Sequence, residues 1–255
     1  MYQLGLLIAF VLILLSCSTN PNHSRKKVEG FWVESNFVDD SVFNGLTKFY
    51  NDKYVLQQTE YYLHGIKNGP SLSYHSNGKV YDSVNYINGF KKGYRFVYDS
   101  SGQLGRKQYY FMDRELGPNI FLHGNVITSY DFTDFDGHAL YSYVSVSLDS
   151  QIRRKGELFK WVPYQKYDGD SLNNYVFVYL IRPPKVSITY ELVARDFENK
   201  ESRVALLTND VFADTLVSAK EDKRKFFIKA DVFDSLEGKR NLQYAELIFN
   251  QYFNQ

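Results

Sequence analysis

GPSLSYHSNGKVYDSVNYINGFKK (Gly69–Lys92) runs without a break into GYRFVYDSSGQLGRKQYYFMDREL (Gly93–Leu116). Laid one over the other, the two 24-residue stretches share Gly69 with Gly93, Tyr74 with Tyr98, Gly78 with Gly102 and Tyr86 with Tyr110. The period extends outward. Gly45 and Gly117 stand 24 residues to either side of the glycine column. Tyr50 and Leu122 flank Tyr74 and Tyr98, Tyr62 precedes Tyr86, and Gly65 recurs as Gly89. A fixed period of this length marks a repeat architecture, in which one supersecondary unit is stacked on the next.

Each unit reads as a β-hairpin. Tyr94, Phe96 and Tyr98 fall on one face at the period-two spacing of a half-buried strand. His75–Lys79 and Asp99–Gln103 are turns, because Asn-Gly and Ser-Gly supply the positive φ a tight turn needs. The return strands run from Val80 to Tyr86 and from Leu104 to Tyr110, and Asn88-Gly89 leads into the next unit. The first copy, Gly45–Asn68, carries Tyr54 where the others carry a turn glycine. The last, from Gly117, has a turn shortened to His123-Gly124. Atypical outer copies are expected where terminal repeats cap a stack.

The pattern Tyr…Asn-Gly-Lys…Tyr-x-Asn-Gly-x-x-x-Gly resembles the MORN-variant repeat found in many bacterial proteins. The resemblance covers about 80 residues, a third of the chain. It implies a β-hairpin array. Proteins with this repeat are often labelled antitoxins, and related repeats are described as scaffolds or as lipid- and protein-binding surfaces. The signal-peptide-like N-terminus described below argues against a cytoplasmic antitoxin and for the scaffold. The column Tyr50/Tyr74/Tyr98 reads as ladder packing. Tyr61 and Tyr109 lie on the opposite phase from Tyr62 and Tyr110, and they are the candidates for exposed, ligand-facing aromatics.

Composition agrees with an all-β chain. Tyr and Phe number 22 and 20, against two Met, a balance that favours strands over helices. Net charge is +1, so no global field draws the chain to nucleic acid or anionic lipid, and no nucleic-acid partner is expected.

Leu4–Leu15 is an unbroken run of apolar residues and glycine. It is too short to span a bilayer, which takes about 20 residues, and it fits the h-region of a signal peptide. It ends in Leu14-Leu15-Ser16-Cys17, which resembles the lipobox of bacterial lipoproteins, although Met1-Tyr2-Gln3 lacks the usual Lys or Arg. The resemblance implies lipidation of Cys17, a tether of two or three acyl chains, and, with Ser18 following, a periplasm-facing place on the outer membrane. Cys17 is the only cysteine, so no internal disulfide forms. Residues 1–17 are thus read as the signal peptide with its lipobox cysteine and 18–29 as a flexible stalk. Residues 30–125 are the repeat array with a leading cap.

Residues 126–255 are read as a β-sandwich-like domain, with an immunoglobulin-like topology as one form. The runs Val126–Phe132, Leu140–Ser147, Leu158–Val162, Tyr175–Ile181, Val186–Ala194, Arg203–Leu207, Lys225–Val232 and Tyr244–Phe249 read as short strands. Turn signals at Asp168-Gly169-Asp170, Asn173-Asn174, Pro183-Pro184 and Glu237-Gly238-Lys239 separate them. Asn241–Tyr252 is open to a short helix as well.

No nucleophile elbow, zinc-protease helix, phosphate loop or dinucleotide fingerprint is present. His64, His75 and His123 fall at repeat turns, where a polar residue is expected anyway, and His23 falls in the stalk. The acidic run Asp131–Gly137 fails as an EF-hand: with Gly137 at the sixth place, Phe132 and Tyr143 occupy the first and twelfth. A looser calcium site from Asp131, Asp134 and Asp136 is the alternative to a plain turn. The expectation is therefore a non-enzymatic, cofactor-free envelope lipoprotein that serves as a scaffold or protein-interaction module. Its partners would be the membrane, through the lipid, and another envelope protein or a glycan. A glycan- or peptidoglycan-binding module using Tyr61 and Tyr109 is the second reading, and an envelope hydrolase the third.

Overall fold

The computed structural model of the chain describes residues 22–38, 41–146, 151–209, 211–219 and 223–248. Every regular element among them is a β-strand. The chain divides into two units. The first comprises the described residues up to Lys91 together with Ser100–Gly102, and the second comprises Lys92–Asp99 and the described residues from Gln103 onward.

The first unit holds β1 (Asn22–Val28), β2 (Phe31–Val38), β3 (Val42–Tyr50), β4 (Leu56–Leu63), β5 (Ile66–Tyr74) and β6 (Val80–Ile87). Each strand pairs antiparallel with the next, and the pairings explain the repeat columns. Gly45 faces Tyr62 and Gly69 faces Tyr86 across neighbouring strands. Tyr50 and Tyr74 each sit at a bulge just before a turn. The turns lie at residues 75–79 and at Asn88-Gly89, as the period predicts. Tyr54 adopts φ 58°, matching the positive φ of Gly78 and Gly102 one and two periods on.

Within this unit the strands form one layer, so its buried centre is not an apolar core between sheets. A transverse row of polar side chains runs through it: Ser35, Thr47, Glu60 and Ser71 are all buried, Val84 continues the row, and Val33 and Phe37 are buried on β2 to either side of Ser35. Thr47 faces Glu60, Glu60 faces Ser71, and Ser71 faces Val84. Ser35 Oγ and Thr47 Oγ1 are 2.6 Å apart. Phe43 meets Phe37, Phe49 and Tyr62 with centroids 5.4, 6.1 and 5.1 Å apart.

Residues 22–28, expected within the flexible stalk, instead form β1, in register with β2 from Asn22↔Phe37 to Val28↔Phe31. An edge strand needs one neighbour and no apolar alternation. Arg25-Lys26-Lys27 is charged because edges are kept from sticking by charge. Arg25 pairs with Glu34, Lys27 with Asp52, and Lys26 lies over the Phe37 ring. Cys17 and residues 18–21 lie outside the described residues.

The second unit begins within β7 (Phe90–Tyr98) and continues through β8 (Leu104–Phe111), β9 (Arg114–His123), β10 (Val126–Thr133), β11 (Ala139–Val146) and β12 (Gln151–Gly156). Strands β1 to β12 follow one another in a 12-stranded sheet. Here too the glycine and tyrosine columns meet, with Gly93 facing Tyr110. The expected boundary at residues 125/126 is therefore not where hairpin pairing stops: β10, β11 and β12 prolong the same sheet. The period fades while the pairing continues, because these strands turn large aromatics to a second layer. Tyr130, Phe132, Tyr141 and Tyr143 are buried with Leu116, Tyr179, Ile181 and Val211. Backbone approach is close at this contact. A Cβ on Gly117 would come within 2.3 Å of Val211.

The remaining strands are β13 (Phe159–Asp168), β14 (Ser171–Leu180), β15 (Val186–Arg195), β16 (Glu201–Leu207), β17 (Phe212–Ala219), β18 (Lys225–Asp234) and β19 (Lys239–Leu247). They form two sheets, ordered β13-β14-β17 and β16-β15-β18-β19. This is an immunoglobulin-like sandwich in which the fourth strand pairs with the third instead of the fifth. Its core joins Val176, Val178 and Leu180 of one sheet to Tyr190, Leu192, Ile228 and Ala230 of the other. The Tyr190 hydroxyl points between the carbonyls of Leu158 (2.7 Å) and Ile181 (2.6 Å). Two local expectations change. Asn173-Asn174 lies inside β14, with the turn at Gly169. Residues 239–247 form a strand and not a helix, because their register with β18 places Leu247 opposite Phe226 in the core.

Candidate functional site

The hairpin tips of the first unit form an unusual surface. Leu63 and Ile66 flank the His64-Gly65 turn and are 51% and 53% exposed; Ile87 and Phe90 flank Asn88-Gly89 and are 41% and 44% exposed. Solvent-facing turns ordinarily carry polar residues, and contiguous exposed apolar side chains mark contact surfaces. The 24-residue period makes the feature repetitive, since Leu63 recurs as Ile87 and Ile66 as Phe90. Backbone bonds hold the tips in line. The Gly65 amide donates to the Phe43 carbonyl and the Gly89 amide to that of Lys67, each at 2.8 Å. Asn44 Oδ1 accepts from the His64 amide, and Asn68 Oδ1 from the Asn88 amide one period later. The ridge is thus a fixed apolar row. Sequence reasoning passed over it, although the columns Leu63/Ile87 and Ile66/Phe90 were there to be read.

The two predicted aromatics part company. Tyr61 is exposed, and its Cβ crowds the backbone of Gly69, 2.9 Å from where a Cβ there would stand. Tyr109 is half-buried. It packs edge-on to Tyr94 at 5.0 Å and Phe212 at 6.3 Å, so it offers no open ring face of the kind expected. A different aromatic pair stands out on the first unit. Trp32 and Tyr54 stack at 5.3 Å, and Tyr54 is 51% exposed. Arg25 lies over the Tyr54 ring and Lys27 over Trp32. The positive φ at Tyr54 is a backbone conformation that costs an L-residue about 1–3 kcal/mol.

The acidic run also separates. Asp131 lies on β10, facing Asn119 and Ser142. Asp134 and Asp136 come together with His138 instead, in the β10–β11 turn. Asp134 is buried and already satisfied: it accepts from Lys160 Nζ at 2.7 Å and from the amides of Asp136 and His138. Burial alone would raise its carboxyl pKa, but these donors outweigh it and hold the carboxyl below its ordinary value. The residue acts as the anchor of a turn. A calcium ion there would have to compete with Lys160.

Glu60 is the other buried carboxylate among the described residues, and it too is fully engaged. Tyr62 and Lys67 donate to it, as does Gln58 Nε2 at 2.6 Å. Burial and the Glu60 carboxylate push the Tyr62 hydroxyl pKa up, which keeps it a donor. His64 and His75 sit at or beside repeat turns, as their positions suggested, with His75 edge-on to Tyr81.

No family model matches the chain. No curated protein matches it either. Among solved structures, one similar chain is that of an S. aureus TarM mutant in complex with fondaparinux, alpha-GlcNAc-glycerol and UDP, at 8% identity and a TM-score of 0.23. The match takes in 58% of this chain and only 23% of that one, and a likeness of this size carries no argument about fold or activity. No helix among the described residues is long and apolar enough to cross a membrane.

Proposed function

We propose that this chain is a lipid-anchored bacterial envelope lipoprotein that works as a non-catalytic scaffold. Cys17 would carry the lipid, and the hairpin sheet would present a contact surface to another envelope protein. The observation that carries the interaction reading is the apolar ridge of Leu63, Ile66, Ile87 and Phe90. The buried carboxylates are spent on structure, Asp134 on its turn and Glu60 on the polar row, which favours a scaffold over a hydrolase. The anchor rests on the lipobox resemblance at Leu14–Cys17, the outer-membrane location on Ser18, and the periplasm-facing side on the lack of an acidic cluster after Cys17.

Two measurements test this. Labelling with a clickable fatty acid should mark the wild type and not Cys17→Ala, and fractionation should move the variant out of the membrane. Crosslinking in intact envelopes should recover the same protein repeatedly with the wild type, and far less of it with Leu63→Ser plus Ile87→Ser. Repeated recovery of no partner would count against the scaffold.

A glycan-binding module is the second reading, and Trp32–Tyr54 favours it more than Tyr61 and Tyr109 do. Sugars stack on aromatic faces, and Arg25 and Lys27 would add hydrogen-bond donors beside them. Binding to peptidoglycan fragments that survives Trp32→Ala intact would sink that reading.

A further inference from the structure

Three of the second unit's sheet edges meet at one place. Strand β12 ends the long sheet, β13 ends the three-stranded sheet and β19 ends the four-stranded one. Two clefts of about 560 and 520 Å³ lie there: the first borders β12 and β19, the second borders all three strands, and both are lined by Gly156, Leu158 and Gln243. An edge strand carries a row of backbone N–H and C=O groups without a neighbouring strand, which is a template for strand addition. Pro163 lies farther along β13 and removes one backbone donor there. Phe159–Trp161, ahead of it, is the stretch that lines the second cleft.

We propose that this groove binds an extended segment of a partner protein by strand addition, and that the segment alternates acidic with small apolar residues. Charge argues for the acid. Strand β12 reads Arg153-Arg154-Lys155 and β19 opens with Lys239-Arg240. Arg154 is taken up by Asp234 and Glu237, and Arg240 by Asp231. Lys155 makes no ion pair among the described residues, and Lys239 has only a 3.5 Å contact with Glu237. The floor argues for the apolar positions, because Leu158, Val186 and Val232 line the first cleft. Asn241 and Gln243 line the same cleft, with side-chain amides not hydrogen-bonded among the described residues. A second copy pairing through its own long-sheet edges fits poorly. Its edges would bring Arg25-Lys26-Lys27 or Arg153-Arg154-Lys155, and like charges facing across a strand pair repel.

Gly156 shapes the entrance. At φ 126° it stands so close to β11 that a Cβ would lie 2.1 Å from the Leu140 carbonyl oxygen. The end of β12 is therefore fixed where it borders the groove.

This proposal rests on the interaction-module reading and names the partner's chemistry; it does not depend on the lipid. The probe is a labelled peptide as long as β19 that alternates Glu with Val, added to the full chain in detergent. Binding should slow hydrogen exchange in β19, and Lys155→Glu with Lys239→Glu should weaken it about tenfold or more, as rim charges act on encounter and hold. A Lys–Val peptide should not bind. The same Glu–Val peptide N-methylated at alternate residues should lose binding, since methylation blocks the ladder and leaves the charge. Equal binding of the methylated peptide, unchanged affinity in the double variant, or no binding of the Glu–Val peptide overturns the proposal. If the peptide fails while crosslinking still recovers a partner with wild type and double variant alike, the groove is wrong and the scaffold stands. If the peptide binds as described and no partner is ever crosslinked, the groove's preference for an acidic strand is right and the partner reading on which the proposal rests is overturned.

Discussion

The two units are made of the same material and held together in different ways. In the first, the centre of the sheet is Ser35, Thr47, Glu60 and Ser71, hydrogen-bonded as the pairs Ser35–Thr47 and Ser71–Glu60, with Val33, Phe37 and Val84 buried beside them. In the second, the centre is Val178, Leu192, Ile228 and their neighbours, closed between two sheets. A single layer has no facing sheet to close a large apolar core against, so it buries few apolar side chains and pairs polar groups with one another beside them. A sandwich excludes water and draws on area, at about 25 cal/mol per Å² of apolar surface removed from water. The difference predicts that the first unit breaks when a hydrogen bond is removed and the second when volume is removed.

The sharpest break should come in the sandwich. Ile228→Ala deletes fully buried volume in the core and should cost about 2–5 kcal/mol, according to how far the site collapses. Each unit holds one of the chain's two tryptophans, Trp32 in the first and Trp161 in the second. In a Trp32→Phe background, the Trp161 denaturation midpoint should fall steeply for Ile228→Ala. A change below about 1 kcal/mol would mean that volume does not govern this core.

The matching break in the first unit is Glu60→Ala. It strands the donors of Tyr62, Lys67 and Gln58 around an empty position, at about 2–3 kcal/mol, the range for a buried hydrogen-bonded charge. The Trp32 transition, read in a Trp161→Phe background, should register it. Adding Tyr62→Phe should then cost less than it does alone, since the two share one bond. Strict additivity would remove Glu60 from the centre of the row.

How much of this was legible in the sequence follows the same division. The turns at 75–79 and Asn88-Gly89 were readable because hairpins are local and Gly and Asn announce them. The polar row was periodic only in part, with Thr47 followed by Ser71 but Glu60 followed by Val84, and a search for apolar alternation looks past small polar residues. Strand β12, Gln151–Gly156, escaped because an edge strand of Arg and Lys has no alternation to detect. The array was ended too early, at residue 125, because β10 and β11 exchange the repeat's small centre for Tyr130, Phe132, Tyr141 and Tyr143, a requirement set by a layer that lies later in the chain. Tyr109 misled for the same reason: strand phase shows which face a ring is on, and only the fold shows that Phe212 arrives to cover it.

Acid should sharpen the contrast more gently. The Asp134 carboxyl sits below its ordinary 3.8 in the folded chain. Its contribution is therefore present in full above that value and is lost as pH falls through the lower folded value. The second unit's Trp161 midpoint should decline from about pH 4 downward. Lys160→Met should flatten that decline by removing the cation that favours the ionised form. Lys160 is 39% exposed, so solvent screening holds the effect to about 1 kcal/mol or less. An acid branch unchanged by Lys160→Met would assign it to other carboxylates, among them Asp234.

The smallest effect expected is the most informative about the array's first copy. Tyr54 occupies the position of Gly78 and Gly102 at a positive φ that glycine adopts freely. Tyr54→Gly should relieve that strain, a gain of about 1 kcal/mol or more. It should also lose the ring stacked on Trp32, worth about 0.5–1.5 kcal/mol. The two nearly cancel, so the Trp32 midpoint should move by no more than about 1 kcal/mol in either direction. Tyr54→Ala gives up the ring and keeps the strain, and should be clearly the worse of the two. If Tyr54→Ala and Tyr54→Gly behave alike, the backbone at this turn carries no strain, and the stack on Trp32 alone accounts for the tyrosine. If Tyr54→Gly is harmless to stability while binding of peptidoglycan fragments disappears, the tyrosine is there for its exposed face, and the first copy of the repeat departs from the others because it meets a ligand.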